Sequence, residues 1–265
     1  MRAVMTALAA LFLSACVGQT GGQTVHFSTA AAGPADAVAG QPLAFTSGAY
    51  SVALSQAVLH VGGVYLVQTG SVSGAQVTGC YLTENGTYVG EETSPLDVDL
   101  LNPTPQTFPA PGLGVTDPAP LIGQVWLTGA DLNDATQSPP ILTIAGTATG
   151  ANGDVYPFAG TITIGTNHQT ATSGPAGSDP ICKERIVTPI RVTLTLEETG
   201  GLLLRIDPRL YFVNVDFSQL SLDAASGRYV FSDDPAAPDY QPAGYNLYYN
   251  LRSTAAYSFS WAPAL

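Results

Sequence analysis

Tyr50-Ser51-Val52-Ala53-Leu54-Ser55-Gln56-Ala57-Val58-Leu59-His60-Val61, continued by Gly62-Gly63-Val64-Tyr65-Leu66-Val67, is the stretch that decides the fold. In its first part Tyr50, Val52 and Leu54 alternate with Ser51, Ala53 and Ser55, the period of a strand with one buried face. From Ala57 both parities turn apolar: Leu59, Val61, Tyr65 and Val67 against Val58, Val64 and Leu66. That predicts a central strand covered on both faces, with Gly62-Gly63 marking a bulge or the close approach of another backbone.

Working outward, Val25-His26-Phe27-Ser28 alternates and predicts the first strand, while residues 30–42 are rich in Ala, Gly and Pro and read as loop. A strand is predicted from Val77 to Leu82, and Asn85-Gly86 between Tyr81-Leu82 and Tyr88-Val89 signals a hairpin. Six prolines between 103 and 120 exclude helix there, because each removes a backbone donor and fixes φ. Leu121 to Leu127 returns to strand. Ile141–Thr149 and Asp154–Ile164 predict a hairpin about Asn152-Gly153, and Ile186–Leu196 with Leu202–Ile206 a second about Thr199-Gly200-Gly201. A short helix is expected near 217–222. Tyr257, Phe259 and Trp261 alternate in a last strand and are assigned to the core. No segment keeps a helical period. Short strands between turn signals predict an all-β fold, an antiparallel β-sandwich with Greek-key-like connections, long Pro/Gly-rich loops and little helix. One domain is expected over 25–265, with a sub-lobe boundary, if any, at the polar turn 131–140.

The chain has 265 residues and a formal net charge of −12. After Arg2 no lysine or arginine occurs until Lys183. A chain without basic surface over two-thirds of its length does not attract nucleic acid. It gains no electrostatic help at an anionic membrane either.

Residues 1–16 have the layout of a secretory signal: Arg2, an apolar run from Ala3 to Leu13, then small residues before a cysteine. The run is too short to span a bilayer. Its ending, Leu13-Ser14-Ala15-Cys16, resembles the lipobox of bacterial lipoproteins. The resemblance implies removal of residues 1–15, acylation of Cys16 and a lipid anchor in the membrane. Val17, which is not the aspartate associated with inner-membrane retention, points to the outer membrane. Residues 17–24 (Val-Gly-Gln-Thr-Gly-Gly-Gln-Thr) are a flexible tether by composition. With Cys16 given to lipid, Cys80 and Cys182 remain as an even pair in an oxidising compartment, where a disulfide is the economical expectation. Closing that loop would contribute about 4–5 kcal/mol in the chain-entropy view.

Catalytic signatures are absent. Gly70-Ser71-Val72-Ser73-Gly74 puts valine where a hydrolase elbow needs its nucleophile, and no His-Glu-x-x-His or phosphate-binding glycine loop occurs. The expectation is therefore a non-enzymatic binding or structural module of the cell envelope, requiring no cofactor. A carbohydrate-active hydrolase, its two carboxylates assembled only by the fold, ranks third.

The second reading is a periplasmic or surface copper or zinc protein. The chain has three histidines, and His26 and His60, on separate strands, are the candidate ligands; His168 lies in a loop. Calcium, through Asp97, Asp99, Asp233, Asp234 and Asp239, follows no known loop spacing. The opening of the mature chain (Val25-His26-Phe27, a Gly/Pro loop, then Gly48-Ala49-Tyr50 running into Ala57-Val58-Leu59-His60-Val61) resembles secreted β-proteins related to the methanobactin-associated copper-binding partner family. That family's copper sites use histidine and an oxidised tryptophan; neither Trp126 nor Trp261 falls on its motif, so no ligand is carried over.

The aromatic C-terminal part supplies the last candidates. Tyr240, Tyr245, Tyr248 and Tyr249 lie in a segment broken by Pro and Gly and are candidate contacts for an envelope glycan or protein partner, since tyrosine gives rigid amphipathic contact area.

Overall fold

The structure, a computed structural model, describes residues 22–68, 87–116, 120–128, 140–163, 184–231 and 242–265. The stretch Tyr50–Val67 proves to be two strands in two sheets. β3 (Tyr50–Val61) lies in one and β4 (Gly63–Gln68) in the other. The crossing is at Gly62, whose N–H donates to the Trp126 carbonyl at 2.8 Å. Gly63 is tight as well: a Cβ there would stand 3.1 Å from the Glu92 carbonyl oxygen. The glycine pair thus marks a close backbone approach at which the chain changes layer.

Among the described residues the smaller sheet runs β14 (Ser221–Asp223), β15 (Arg228–Phe231), β11 (Val155–Thr163), β10 (Pro140–Gly150), β3 and β2 (Leu43–Ser47), with β6 (Leu96–Asp99) also paired to β3. The larger sheet runs β12 (Glu184–Val192), β9 (Leu121–Thr128), β4, β5 (Thr87–Glu92), β8 (Gly112–Val115), β1 (Thr24–Ala32), β13 (Gly201–Ile206) and β16 (Tyr257–Ala262), with β7 (Gln106–Thr107) on β1. Buried side chains of both sheets form one continuous core, as an all-β sandwich requires. The larger sheet curls strongly. A Cβ on Gly123 of β9 would meet the Phe259 ring of β16 at 2.3 Å, so strands from opposite ends of the order come together.

The Asn152-Gly153 hairpin is present. β10 and β11 pair antiparallel from Thr149↔Val155 outward, and Gly153 takes φ +89°, which favours glycine. Several expectations need correction. β12 and β13 do not form a hairpin: β12 pairs with β9, while β13 joins β1 and β16. Not all pairing is antiparallel, since β1–β13 and β11–β15 are parallel. Ala30–Ala32, read as loop, continue β1 alongside β13 and are fully buried, Ala31 in the main core and Ala30 and Ala32 with Leu203 in a small second cluster. Residues 57–61 are covered on one face only: Ala57, Leu59 and Val61 are buried, while Val58 and His60 are half-exposed. The predicted strand 77–82, the Asn85-Gly86 hairpin and most of the turn 131–140 lie outside the described residues.

Between β13 and β14 the chain makes two 3-10 turns, Pro208–Phe212 and Phe217–Gln219, each opened by an aspartate (Asp207, Asp216) whose side chain accepts a backbone N–H. They drive Phe212 and Phe217 into the core against Phe158 and Phe231, with ring centroids 5.1 to 6.4 Å apart. Burying each such ring stabilises the fold by about 1.5–3 kcal/mol. The segment expected to be broken by Pro and Gly is instead a helix, α1 (Pro242–Asn250), with proline at its start, where a missing donor costs nothing. Of the last strand, Tyr257 is buried, whereas Phe259 and Trp261 are partly exposed and pack on the core from its edge.

Candidate functional site

The larger sheet presents an aromatic surface on its outer face. Tyr65 on β4 stands between buried Val64 and Leu66, so period two turns its ring away from the core. Register carries a row of side chains across five strands on that side: Gln124, Tyr65, Glu91, Leu113 and His26, from β9 through β4, β5 and β8 to β1. Trp126, two residues from Gln124, shares the face and lies in register with Gly63. Because Gly63 has no side chain, the Trp126 indole and the Tyr65 ring settle together, centroids 4.7 Å apart. Tyr88 of β5 completes the cluster at 5.5 Å from Tyr65, with 44% of its surface exposed.

Polar groups are interleaved with the rings. The Trp126 Nε1–H donates to Gln124 Oε1 at 3.0 Å, which fixes the indole and serves an amide only 2% exposed. Glu91 and His26 are exposed, and Leu113 adds apolar surface at 43% exposure. Three large amphipathic rings on a rigid sheet, edged by a carboxylate and an imidazole, can take a ligand by stacking and hydrogen bonding.

His26 and His60 belong to different sheets, β1 and β3, and no hydrogen bond or ion pair joins them. His60 has its own partner: Nδ1 is 2.7 Å from Asp97 Oδ1, the two residues facing each other in the β3–β6 ladder. A histidine expected inside a buried strand is thus half-exposed and held by a carboxylate. Among the described residues no group of three or more His, Cys, Asp or Glu is arranged to hold a metal ion. Asp99 accepts the Leu101 N–H, an ordinary turn contact. Of the tyrosines in the helical segment, Tyr248 is buried at 7% and Tyr249 is exposed at 52%. Cys16, Cys80, Cys182, His168, Asp233, Asp234, Asp239 and Tyr240 lie outside the described residues, as does the Tyr245 side chain.

Simple alternation puts Tyr65 in phase with Leu59 and Val61, which hides the Tyr65–Trp126 pair. The change of layer at Gly62 resets the phase. The available signal was the glycine pair itself, which licenses a break in alternation.

No helix among the described residues is long and apolar enough to cross a membrane. No family model and none of the curated proteins compared matches the chain. Among solved structures, MbnP from Methylosinus trichosporium aligns over 91% of this chain and 99% of its own, at 16% identity and a TM-score of 0.36. It is of the family that residues 25–61 resemble, and at that score it carries no residue role across.

Proposed function

We propose that the chain is a non-enzymatic binding module of the bacterial envelope, lipid-anchored through Cys16, whose ligand surface is the outer face of the larger sheet. One observation carries the reading: Tyr65, Tyr88 and Trp126 form a contiguous cluster on a face turned away from the core, where ordinary strands carry small polar side chains. The partner is an envelope glycan or protein, in keeping with rings that offer both apolar faces and hydroxyl or indole edges. A glycan and envelope-protein array tests it. Tyr65→Ala removes the central ring, which meets both Trp126 and Tyr88, and should abolish whatever binding the native chain shows, with the fold monitored by circular dichroism. Binding that survives both Trp126→Ala and Tyr65→Ala sinks the assignment of the face.

A second reading has one specific observation behind it. Asp97 engages His60 Nδ1, an arrangement that fixes a histidine's tautomer and leaves Nε2 for a copper or zinc ion. Elemental analysis of untagged protein decides between the two: stoichiometric metal lost in His60→Ala favours this reading, and no metal removes it.

A further inference from the structure

A second tyrosine cluster, on the other sheet, stands against the edge of the core at one end of the smaller sheet. Tyr50 begins β3, Tyr156 follows Val155 in β11, and Tyr229 lies in β15. Each shares the parity of a buried neighbour two residues on (Val52, Phe158 and Phe231), yet each is only half-buried. Tyr156 meets Tyr50 edge-on at 5.9 Å and 78°, and Tyr229 at 5.1 Å and 66°. Leu222, 57% exposed and in register with Tyr229, extends the strip.

Packing alone does not call for hydroxyls here; Phe217 fills the same region at 5.1 Å from Tyr50 without one. The hydroxyls lead to carboxylates. Tyr50 donates to Asp216 Oδ1, and Tyr156 lies 3.5 Å from Asp154 Oδ2, which Asn152 also approaches at 2.6 Å. Hydrogen bonds from Ser218 and Tyr50 hold the Asp216 carboxyl below the usual carboxylate range, so it is negative at neutral pH. Burial and the nearby Asp154 push the Tyr156 phenol up, so that ring stays neutral. The neighbouring cation, Arg228, is exposed and directs its guanidinium at the Phe158 carbonyl, 3.4 Å away.

We propose that this end of the smaller sheet binds a small organic cation, an alkylated ammonium head seated against the faces of Tyr50, Tyr156 and Tyr229 and balanced by Asp154 and Asp216. Aromatic faces attract such heads through the ring quadrupole, and partial burial strengthens the attraction. The net charge of −12 raises the local concentration of cations at any such opening.

The test uses the full chain and two ligands of one shape, choline and the neutral 3,3-dimethylbutanol, titrated against tyrosine fluorescence. Choline should saturate in the millimolar range and bind about tenfold more tightly than the neutral compound, the ratio expected when charge contributes. Asp154→Asn should weaken choline several-fold. Tyr156→Ala should abolish its binding, while Tyr156→Phe, which keeps the ring, preserves it. Trp126→Ala, on the other surface, should leave choline binding unchanged. Equal affinity for the two ligands, or no saturation by choline in a chain with native circular dichroism, overturns the proposal.

Discussion

Two buried tyrosines offer a sharp test of how the C-terminal segment is held. Tyr211, in the 3-10 turn 208–212, is 0% exposed, and its hydroxyl donates to the Tyr257 hydroxyl at 3.0 Å. Tyr257, at the start of β16, donates in turn to the Leu251 carbonyl at 2.8 Å. That carbonyl belongs to the turn just after α1, where helix carbonyls lack partners within the helix. The chain of donors therefore ties α1, β16 and the 3-10 turn together. Tyr211→Phe removes one donor and leaves the Tyr257–Leu251 bond intact, costing about 1 kcal/mol. Tyr257→Phe leaves the fully buried Tyr211 hydroxyl without its acceptor and Leu251 without its donor, at about 1–3 kcal/mol for each group. In the double variant only the Leu251 carbonyl is deprived, so it should be more stable than Tyr257→Phe alone by about 1 kcal/mol or more. Urea unfolding of the four proteins measures this, with the slope m held as the check on two-state behaviour. A double variant whose loss equals the sum of the two single losses would refute the coupling and the orientation of both hydroxyls.

Other perturbations read other parts of the fold. Gly160→Ala places a Cβ 2.4 Å from the Phe231 Cβ and 2.8 Å from its carbonyl oxygen, so the β11–β15 pair must separate. Its unfolding free energy should drop by about 1–3 kcal/mol or more, and a neutral result would show that the parallel pairing is wrong. Asp36, Asp216 and Asp223 are all held below the usual carboxylate range, Asp36 chiefly by its hydrogen bond from Arg209. A depressed native pKa means stability that is present at neutral pH and lost as acid protonates the group. The midpoints of native and Asp36→Asn protein should therefore converge as the pH falls below the ordinary carboxylate range; a gap that persists in acid denies the Arg209–Asp36 pair its role. Cys16→Ala should move the protein from the membrane fraction to the soluble one, and retention of that variant would remove the lipid anchor.

How much of this was legible beforehand depended on whether a signal was local. Strand content, the Asn152-Gly153 turn and the alternation of β16 follow from period and turn chemistry, which act over a few residues. Pairing did not. Leu202–Ile206 reads equally well as a hairpin partner of β12 or as a central strand between β1 and β16, because sequence encodes a face and not its neighbour. Ala30–Ala32 read as loop because alanine has little strand preference; pairing with β13, about 170 residues along the chain, makes them strand. The helix Pro242–Asn250 was hidden by its proline and glycine, though proline at a first turn is compatible with a helix. His60 reads as core from its apolar neighbours but is half-exposed. Its partner Asp97 lies 37 residues away and meets it only through the β3–β6 ladder.

The same reasoning explains why both tyrosine surfaces trace to one stretch. Tyr50 and Tyr65 lie on either side of Gly62, and a register shift at Ser55 moves the buried parity of β3 from Val52 and Leu54 to Ala57, Leu59 and Val61, so a strand running straight on would have aimed Tyr65 to the same side as Tyr50. Crossing layers at Gly62 changes what those faces are. Tyr50 shares the core-facing parity of Val52 and Leu54 and is half-exposed where the core ends, while Tyr65 turns outward on the other sheet. One cluster is therefore continuous with the hydrophobic core through Phe217 and Phe158, and the other lies outside it. Substitutions at Phe158 should accordingly disturb the Tyr50–Tyr156–Tyr229 end and leave Tyr65–Trp126 intact. Near-UV circular dichroism and choline titration of Phe158→Leu, set beside array binding by the same variant, separate the two. Equal loss at both surfaces would mean that the shared core carries the change at Phe158 through to the outer face of the larger sheet.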